Sequence, residues 1–161
     1  MMATVYVGLG SNIEPEENLK LGIAELRRRY GEVDVSAVYR SAAVGFEGGD
    51  FLNLVGRFES ESEPAEICQA IAAIHKLVGR DRRGGKWESR PLDIDLLLYN
   101  DRVMDVPRVP RGDVLEYSFV LRPLAELAPD LRHPETGRTM LEHWQEFDAS
   151  RHPLEAVDVT L

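Results

Sequence analysis

This sequence predicts an α+β fold, an antiparallel sheet carrying two helices on one face, and three observations carry the prediction. Two segments, each opened by a proline, repeat apolar residues at helical spacing. The segments around them are short and run apolar or alternate, as strands do. The order along the chain is strand, helix, strand, strand, helix, strand.

The run Thr4-Val5-Tyr6-Val7-Gly8-Leu9-Gly10 reads as the first strand, and Ser11-Asn12 turns the chain. Pro15 suits the first position of a helix, where a missing N–H costs nothing. Glu16 and Glu17 in its first turn and Arg27, Arg28 and Arg29 in its last complement the helix dipole. Leu19, Ile23, Leu26 and Tyr30 recur along one side, and Gly31 supplies a stop. Val33, Val35, Ala37 and Tyr39 alternate with Asp34, Ser36, Val38 and Arg40, which predicts one half-buried strand. Residues 43–50 include three glycines and read as a loop, and 51–59 as the third strand. Pro64 opens a second helix with Ile67, Ile71, Ile74 and Val78 on one face. A charged loop over 79–90 leads into a fourth strand over 92–99. The order β-α-β-β-α-β is the ferredoxin-like arrangement. Beyond it, 103–109 reads as extended and 119–127 as a short helix ending near Pro129. Thr139 is placed to cap a final helix reaching about Phe147, and residues from Arg151 read as a tail. A single domain over 1–161 is expected, with its core at 3–100, a C-terminal extension at 101–150 and the tail at 151–161.

Bulk properties narrow the function. Hydrophobic content of 43% and charge of 29% are those of a soluble globular protein. A net charge of −9 argues against a nucleic-acid surface. Cys68 is the one cysteine, which excludes an internal disulfide and suits a reducing compartment. No apolar run approaches the roughly 20 residues that span a bilayer, and no secretory signal opens the chain. The expectation is a cytoplasmic monomer acting on small molecules, without a membrane or nucleic-acid partner.

The sharpest chemical feature is Arg90-Pro91-Leu92-Asp93-Ile94-Asp95-Leu96-Leu97-Leu98-Tyr99. Side chains at i and i+2 of a strand share a face about 7 Å apart. Asp93 and Asp95 are therefore co-facial, with Ile94, Leu96 and Leu98 opposite. Two adjacent carboxylates repel unless a cation joins them. Mg²⁺ would relieve that repulsion and form a phosphate clamp, whereas a solvated strand end or arginine neutralisation is the plainer reading. The loop before the pair holds Arg80, Arg82, Arg83, Lys86 and Arg90 against Asp81 and Glu88, a net +3 within an acidic chain. Arginines suit phosphate oxygens, Gly84-Gly85 allows folding over a ligand, and Trp87 offers a stacking surface. A solvated loop remains the alternative. Asn53 interrupts an apolar strand, and Leu52, Leu54 and Phe58 on the core side place Phe51 and Asn53 together on the other. An amide beside a ring suits a flat heterocycle with donor and acceptor edges, or else marks an open sheet face. Ser41 reads equally as a turn residue. The segment Gly8-Leu9-Gly10-Ser11-Asn12 lacks a P-loop's Gly-Lys-Ser/Thr and the full dinucleotide fingerprint. His75, His133, His143 and His152 show no metal-ligand spacing and read as surface residues.

Taken together, six blocks resemble the 6-hydroxymethyl-7,8-dihydropterin pyrophosphokinases of folate biosynthesis: Gly8-Leu9-Gly10-Ser11-Asn12, Val38-Tyr39-Arg40-Ser41, Phe51-Leu52-Asn53, Gly79-Arg80-x-Arg82, Trp87-x-x-Arg90-x-Leu92-Asp93-Ile94-Asp95, and Phe119-Val120-Leu121-x-Pro123-Leu124. The resemblance covers about residues 3–147 and implies the ferredoxin-like fold. It implies transfer of pyrophosphate from Mg·ATP to the pterin's hydroxymethyl group, releasing AMP. It assigns two Mg²⁺ ions to Asp93 and Asp95. Catalysis falls to Arg80, Arg90 and the two aspartates, and ATP contacts to Arg82, Trp87, Arg90, Leu96 and Arg111. The pterin falls to Ser41, Val44, Phe51, Asn53, Trp87 and Phe119, with 45–50 and 79–90 as lids. The chain departs from the family on the nucleotide side. Lys86-Trp87-Glu88-Ser89-Arg90 stands where Arg-Trp-Gly-Pro-Arg is common. Ala72 stands for a Gln, His75 for a Glu, Pro110-Arg111-Gly112 for a Pro-His block, and Tyr117 for an Arg, with Arg111 offered as replacement charge. A non-catalytic pterin or nucleotide binder, and another Asp-x-Asp transferase, are the competing readings.

Overall fold

The computed structural model describes residues 2–42, 49–79, 91–151 and 153–161. β1 (Ala3–Ser11) is the hub of the sheet. It pairs antiparallel along its whole length with β4 (Phe51–Ser60), Ala3 opposite Ser60 and Ser11 opposite Leu52. Its other edge pairs antiparallel with β5 (Asp93–Tyr99). β2 (Asp34–Val35) and β3 (Val38–Ser41) both pair with β4, which gives the order β5-β1-β4-β3. With α1 (Pro15–Tyr30) and α2 (Pro64–Val78) crossing between strands, this is the expected ferredoxin-like topology.

Both helices begin at their prolines, and α2 adds a reciprocal cap in which the Glu63 and Glu66 side chains take each other's backbone N–H. Leu19, Ile23 and Leu26 of α1 and Ile67, Ile71 and Ile74 of α2 bury against Val5, Val7, Leu9, Leu54 and Ile94. Gly22 lets α1 lie close to the sheet. A Cβ there would stand 3.0 Å from Cδ2 and 3.2 Å from Cδ1 of fully buried Leu92. Gly22→Val is expected to destabilise the protein by about 2 kcal/mol through overpacking, a Tm loss of roughly 4–8 °C in a thermal melt. An unchanged Tm would contradict this packing.

The C-terminal extension covers the other face. A hairpin of β6 (Met104–Asp105) and β7 (Arg108–Val109) leads to α3 (Asp113–Glu116) and α4 (Ser118–Leu127). Val120, Leu121 and Leu124 of α4 pack with Tyr6, Val55 and Leu97. The two helices expected on one face are there, and α4 buries much of the opposite face. The expected final helix is α5 (Met140–Glu146), its N-cap Thr139 accepting from the Glu142 N–H while Glu142 reaches back.

Four local expectations need correcting. The second strand is broken at Ser36-Ala37, because Ser36 Oγ accepts the Val55 N–H (2.9 Å) in place of a backbone carbonyl. The break resets the alternation, so Val38 rather than Ala37 joins the α1/α2 core. In β5 a bulge intervenes: Val7 opposes Leu96 while Tyr6 opposes Leu98, leaving Leu97 unpaired in the ladder. Leu97 and Leu98 therefore both join the α4 core, whereas Leu98 was expected with Ile94 and Leu96. The supposed tail forms β8 (Glu155–Val157), pairing Val157 with Val38 and covering the edge that β3 would expose. His75 and His133 are buried rather than at the surface, 6% and 3% exposed.

Candidate active site

Three adjacent strands, β4, β1 and β5, build the floor of a cleft on the α4 side. In register, Asn53 of β4 stands opposite Gly10 of β1, and Gly10 opposite Asp93 of β5. One row further, Val55, Gly8 and Asp95 line up the same way. The amide and the carboxylate pair thus flank a strip without side chains, two strand spacings or about 10 Å apart. Gly10 keeps that strip open, since a Cβ there would stand 3.1 Å from Asn53 Oδ1.

Asp93 and Asp95 line the cleft together with Phe51, Asn53, Ser41 and Phe119. Asn53 is 6% exposed. Its Nδ2 donates to Ser41 Oγ (2.8 Å) and reaches the Tyr39 carbonyl (3.5 Å). The donor side of the amide is committed to the protein, which turns Oδ1 toward Gly10 as the acceptor. Ser41 is therefore an orienting group at the end of β3, not a turn residue. The Tyr39 hydroxyl donates to Glu126 of α4, and the Arg122 guanidinium lies 4.7 Å from the Tyr39 ring centroid. These contacts tie α4, which carries Phe119, to the strand behind Asn53. Burial, then the Glu126 hydrogen bond and charge, push the Tyr39 hydroxyl up to about 12, so it remains a donor at neutral pH.

Arg111 enters from the chain before α3, its backbone N–H bound to the carbonyl of the bulged Leu97 (2.9 Å). Its guanidinium is 3.7 Å from Asp95 and 3.3 Å from Asp113. Burial disfavours its charge, but the carboxylates of Asp95, Asp113 and Asp93 outweigh burial and hold the group protonated. Tyr117 stacks on Phe119 at 4.9 Å between centroids, 19° from parallel, and both rings face the cleft. Asp113 and Tyr117 were not assigned a site role from sequence. The signal was present in the spacings Arg111-x-Asp113 and Tyr117-x-Phe119. Leu96 does not enter the cleft: its side chain is buried in the α1/α2 core, because β5 alternates there before its bulge. Val44, Arg80, Arg82, Lys86, Trp87, Glu88 and Arg90 lie outside the described residues.

The donor set fits Mg²⁺ shared with a phosphate. Asp93 and Asp95 offer hard oxygens on one face, and no group of three or more His, Cys, Asp or Glu able to hold a metal is found among the described residues. Mg²⁺ commonly takes one or two protein carboxylates and completes its octahedron with substrate phosphates and water.

Residues 6–129 match the model of the family described as 7,8-dihydro-6-hydroxymethylpterin-pyrophosphokinase. Relatives carry the name 2-amino-4-hydroxy-6-hydroxymethyldihydropteridine pyrophosphokinase. The protein of Aquifex aeolicus is 39% identical over 137 residues, 83% of this chain and 85% of that one. That of Synechocystis is 39% identical over 149 residues, 89% of this chain and 76% of its own length. That of Pseudomonas aeruginosa is 38% identical over 148 residues, covering 88% and 90%. Among solved structures, an HPPK-DHPS in complex with substrates superposes with a TM-score of 0.75 over 94% of this chain at 10% identity. Plasmodium falciparum HPPK-DHPS with pterin and p-hydroxybenzoate gives 0.73 over 94% at 13% identity. The chain spans 44% of each of those longer chains, and at such identity the likeness speaks for the fold. With the profile matched across most of its length, and with relatives 38–39% identical over more than four-fifths of it, the chain belongs to the 7,8-dihydro-6-hydroxymethylpterin-pyrophosphokinase family.

Proposed function

We infer that this chain transfers pyrophosphate from ATP to the hydroxymethyl group of 6-hydroxymethyl-7,8-dihydropterin, releasing AMP, in folate biosynthesis. The observation that carries the reading is the row Asn53–Gly10–Asp93: a recognition amide and a carboxylate pair facing one cleft across a glycine strip. Asn53 Oδ1 accepts from the pterin's N–H edge, while Phe51 and the Tyr117–Phe119 stack supply flat apolar surface. This leaves the hydroxymethyl group directed along the strip toward Asp93 and Asp95. Those two carboxylates hold Mg²⁺, two ions by the family resemblance, and the metal neutralises phosphate charge when bound. Arg111 adds a cation beside Asp95, where the family's Pro-His block would stand. Arg80, Arg82, Trp87, Arg90 and Val44 keep their family-derived roles on phosphates and pterin.

The chemistry asks for positioning and charge stabilisation more than covalent work. The hydroxyl oxygen attacks the β-phosphorus and gives up its proton to solvent, the bond from that phosphorus to the oxygen bridging it to the α-phosphorus breaks, and AMP leaves on the opposite side with that oxygen. The chain's own task is to hold the pterin by its edge and to keep the carboxylates aligned. A cytoplasmic monomer without a nucleic-acid partner completes the reading. The net charge of −9 and the single cysteine support it, and no described helix is long and apolar enough to cross a membrane.

The test is direct. Incubating the protein with Mg·ATP and the hydroxymethyl dihydropterin is expected to yield AMP and the pterin diphosphate in equal amounts. ADP as the product, or no nucleotide turnover, would overturn the reading.

A further inference from the structure

His75 comes from the last turn of α2, far in sequence from the carboxylate strand. Its Nε2 accepts the backbone N–H of Ile94 at 2.8 Å. Both residues are buried, His75 at 6% and Ile94 at 2% exposure. The peptide so held is the one joining Asp93 to Ile94, between the two carboxylates. Among the described residues β5 is the outermost strand at its end of the sheet, and none of them forms a further strand to pair with that outward N–H. His75 supplies the acceptor that a further strand would have supplied. The His75 carbonyl is itself engaged by the Gly79 N–H at the helix cap, and the side chains of Ile71 and Ile74 pack α2 into the same core as Ile94. The helix turn that carries the imidazole is thereby fixed against the strand.

Two other groups brace the same strand on either side. Ser11, fully buried, donates its hydroxyl to the Pro91 carbonyl just before the pair. Arg111 donates its backbone N–H to Leu97 just after it. His75 acts at the centre, and it is the brace that sits between Asp93 and Asp95. A rotation of that peptide would swing the Asp93 carboxylate relative to Asp95, and a metal shared with a phosphate tolerates little such movement.

The structure assigns His75 a positioning role: by accepting the Ile94 N–H, it sets the spacing and orientation of Asp93 and Asp95 for metal binding. This rests on the Mg·ATP reading above. It makes His75 more than a satisfied core histidine, because the group it satisfies belongs to the metal-holding peptide. It also gives the side chain a length requirement. Gln places an acceptor at the distance of Nε2, whereas Asn has the polarity without the reach.

The experiment compares His75→Leu, His75→Gln and His75→Asn with the unaltered protein. Mn²⁺ binding is followed by electron paramagnetic resonance with a non-hydrolysable ATP analogue present, and pterin binding by fluorescence without nucleotide. His75→Leu and His75→Asn are expected to weaken Mn²⁺ binding about tenfold, the scale of lost outer contacts to metal ligands. Pterin affinity is expected to stay within about twofold, and His75→Gln to recover Mn²⁺ binding. Mn²⁺ affinity unchanged in the Leu and Asn variants would overturn the proposal. So would equal weakening of Mn²⁺ and pterin binding, or a Gln variant no better than Asn. Should His75→Leu not fold, the Gln and Asn pair decides alone, with Ile94 amide exchange in the unaltered protein as a second readout: slow exchange supports the bond, and exchange at the rate of an open edge amide refutes it. The two readings fail separately. Absence of AMP release by the unaltered protein strikes the pyrophosphokinase reading, whereas an active protein with indifferent His75 variants strikes only this one.

Discussion

Replacing Asp95 with alanine is expected to lower turnover by roughly a thousandfold while leaving the fold intact. The loss is large because, on the proposed reading, Asp95 holds the metal that neutralises phosphate charge in pyrophosphoryl transfer, and Asp93 alone offers half of the donor set. The fold survives for three reasons visible around the residue. Asp95 is about one-third exposed, so its removal opens no core cavity. Its loss relieves repulsion with Asp93. Arg111 keeps Asp113 at 3.3 Å, so its guanidinium is not left without a carboxylate. A half-exposed ion pair contributes at most about 1 kcal/mol, which limits the change in Tm to roughly 4 °C. Asp95→Asn keeps the shape and is expected to lose nearly as much activity, which separates charge from packing. Steady-state AMP release with circular dichroism melts provides the measurement. Near-normal turnover of Asp95→Ala would sink the two-aspartate mechanism.

The second large effect belongs to the other end of the strip. Asn53→Leu is expected to lower kcat/KM for the pterin by about a hundredfold, chiefly through KM, because a polar edge then meets a pocket that cannot pair with it. Leucine keeps the γ-branching and heavy-atom count of asparagine while removing the amide, though with greater bulk. Ser41 Oγ loses the Nδ2 donor at 2.8 Å, and a buried hydroxyl without that partner costs about 1–2 kcal/mol of stability. The discriminating observation is asymmetry. Pterin affinity by fluorescence should collapse while Mn²⁺ binding with an ATP analogue stays near its normal value. Equal loss of both would mean that Asn53 supports the whole cleft rather than the pterin alone.

These effects show which parts of the site were readable beforehand. The co-facial relation of Asp93 and Asp95 follows from the two-residue period of any strand, and both line the cleft. The same period, read from Leu52, Leu54 and Phe58, put Phe51 and Asn53 on the opposite side, where they line it too. The period fails where hydrogen bonding intervenes. Ser36 substitutes its hydroxyl for a backbone partner and shifts the alternation before Tyr39. The bulge at Leu97 turns Leu98 to the other core. Neither is marked by composition, since a serine between strand residues and one more leucine in a run of leucines carry no local signal.

Sequence by itself determined the β-α-β-β-α-β order of the core, its two helices, and the co-facial carboxylate pair to which the proposed chemistry is assigned, because helical and strand periods and proline starts are local. Tertiary structure decided what stands around the pair. Arg111, itself paired with Asp113, reaches Asp95 from beyond a hairpin, Tyr117 stacks on Phe119 over the cleft, and His75 accepts the Ile94 N–H from a helix. The segment read as a tail became a strand only because β3 offered it an edge. Apart from the Tyr117–Phe119 stack, whose spacing is local, each of these depends on which surfaces meet, and so on register and packing between separate elements, for which a periodic pattern along the chain carries no information.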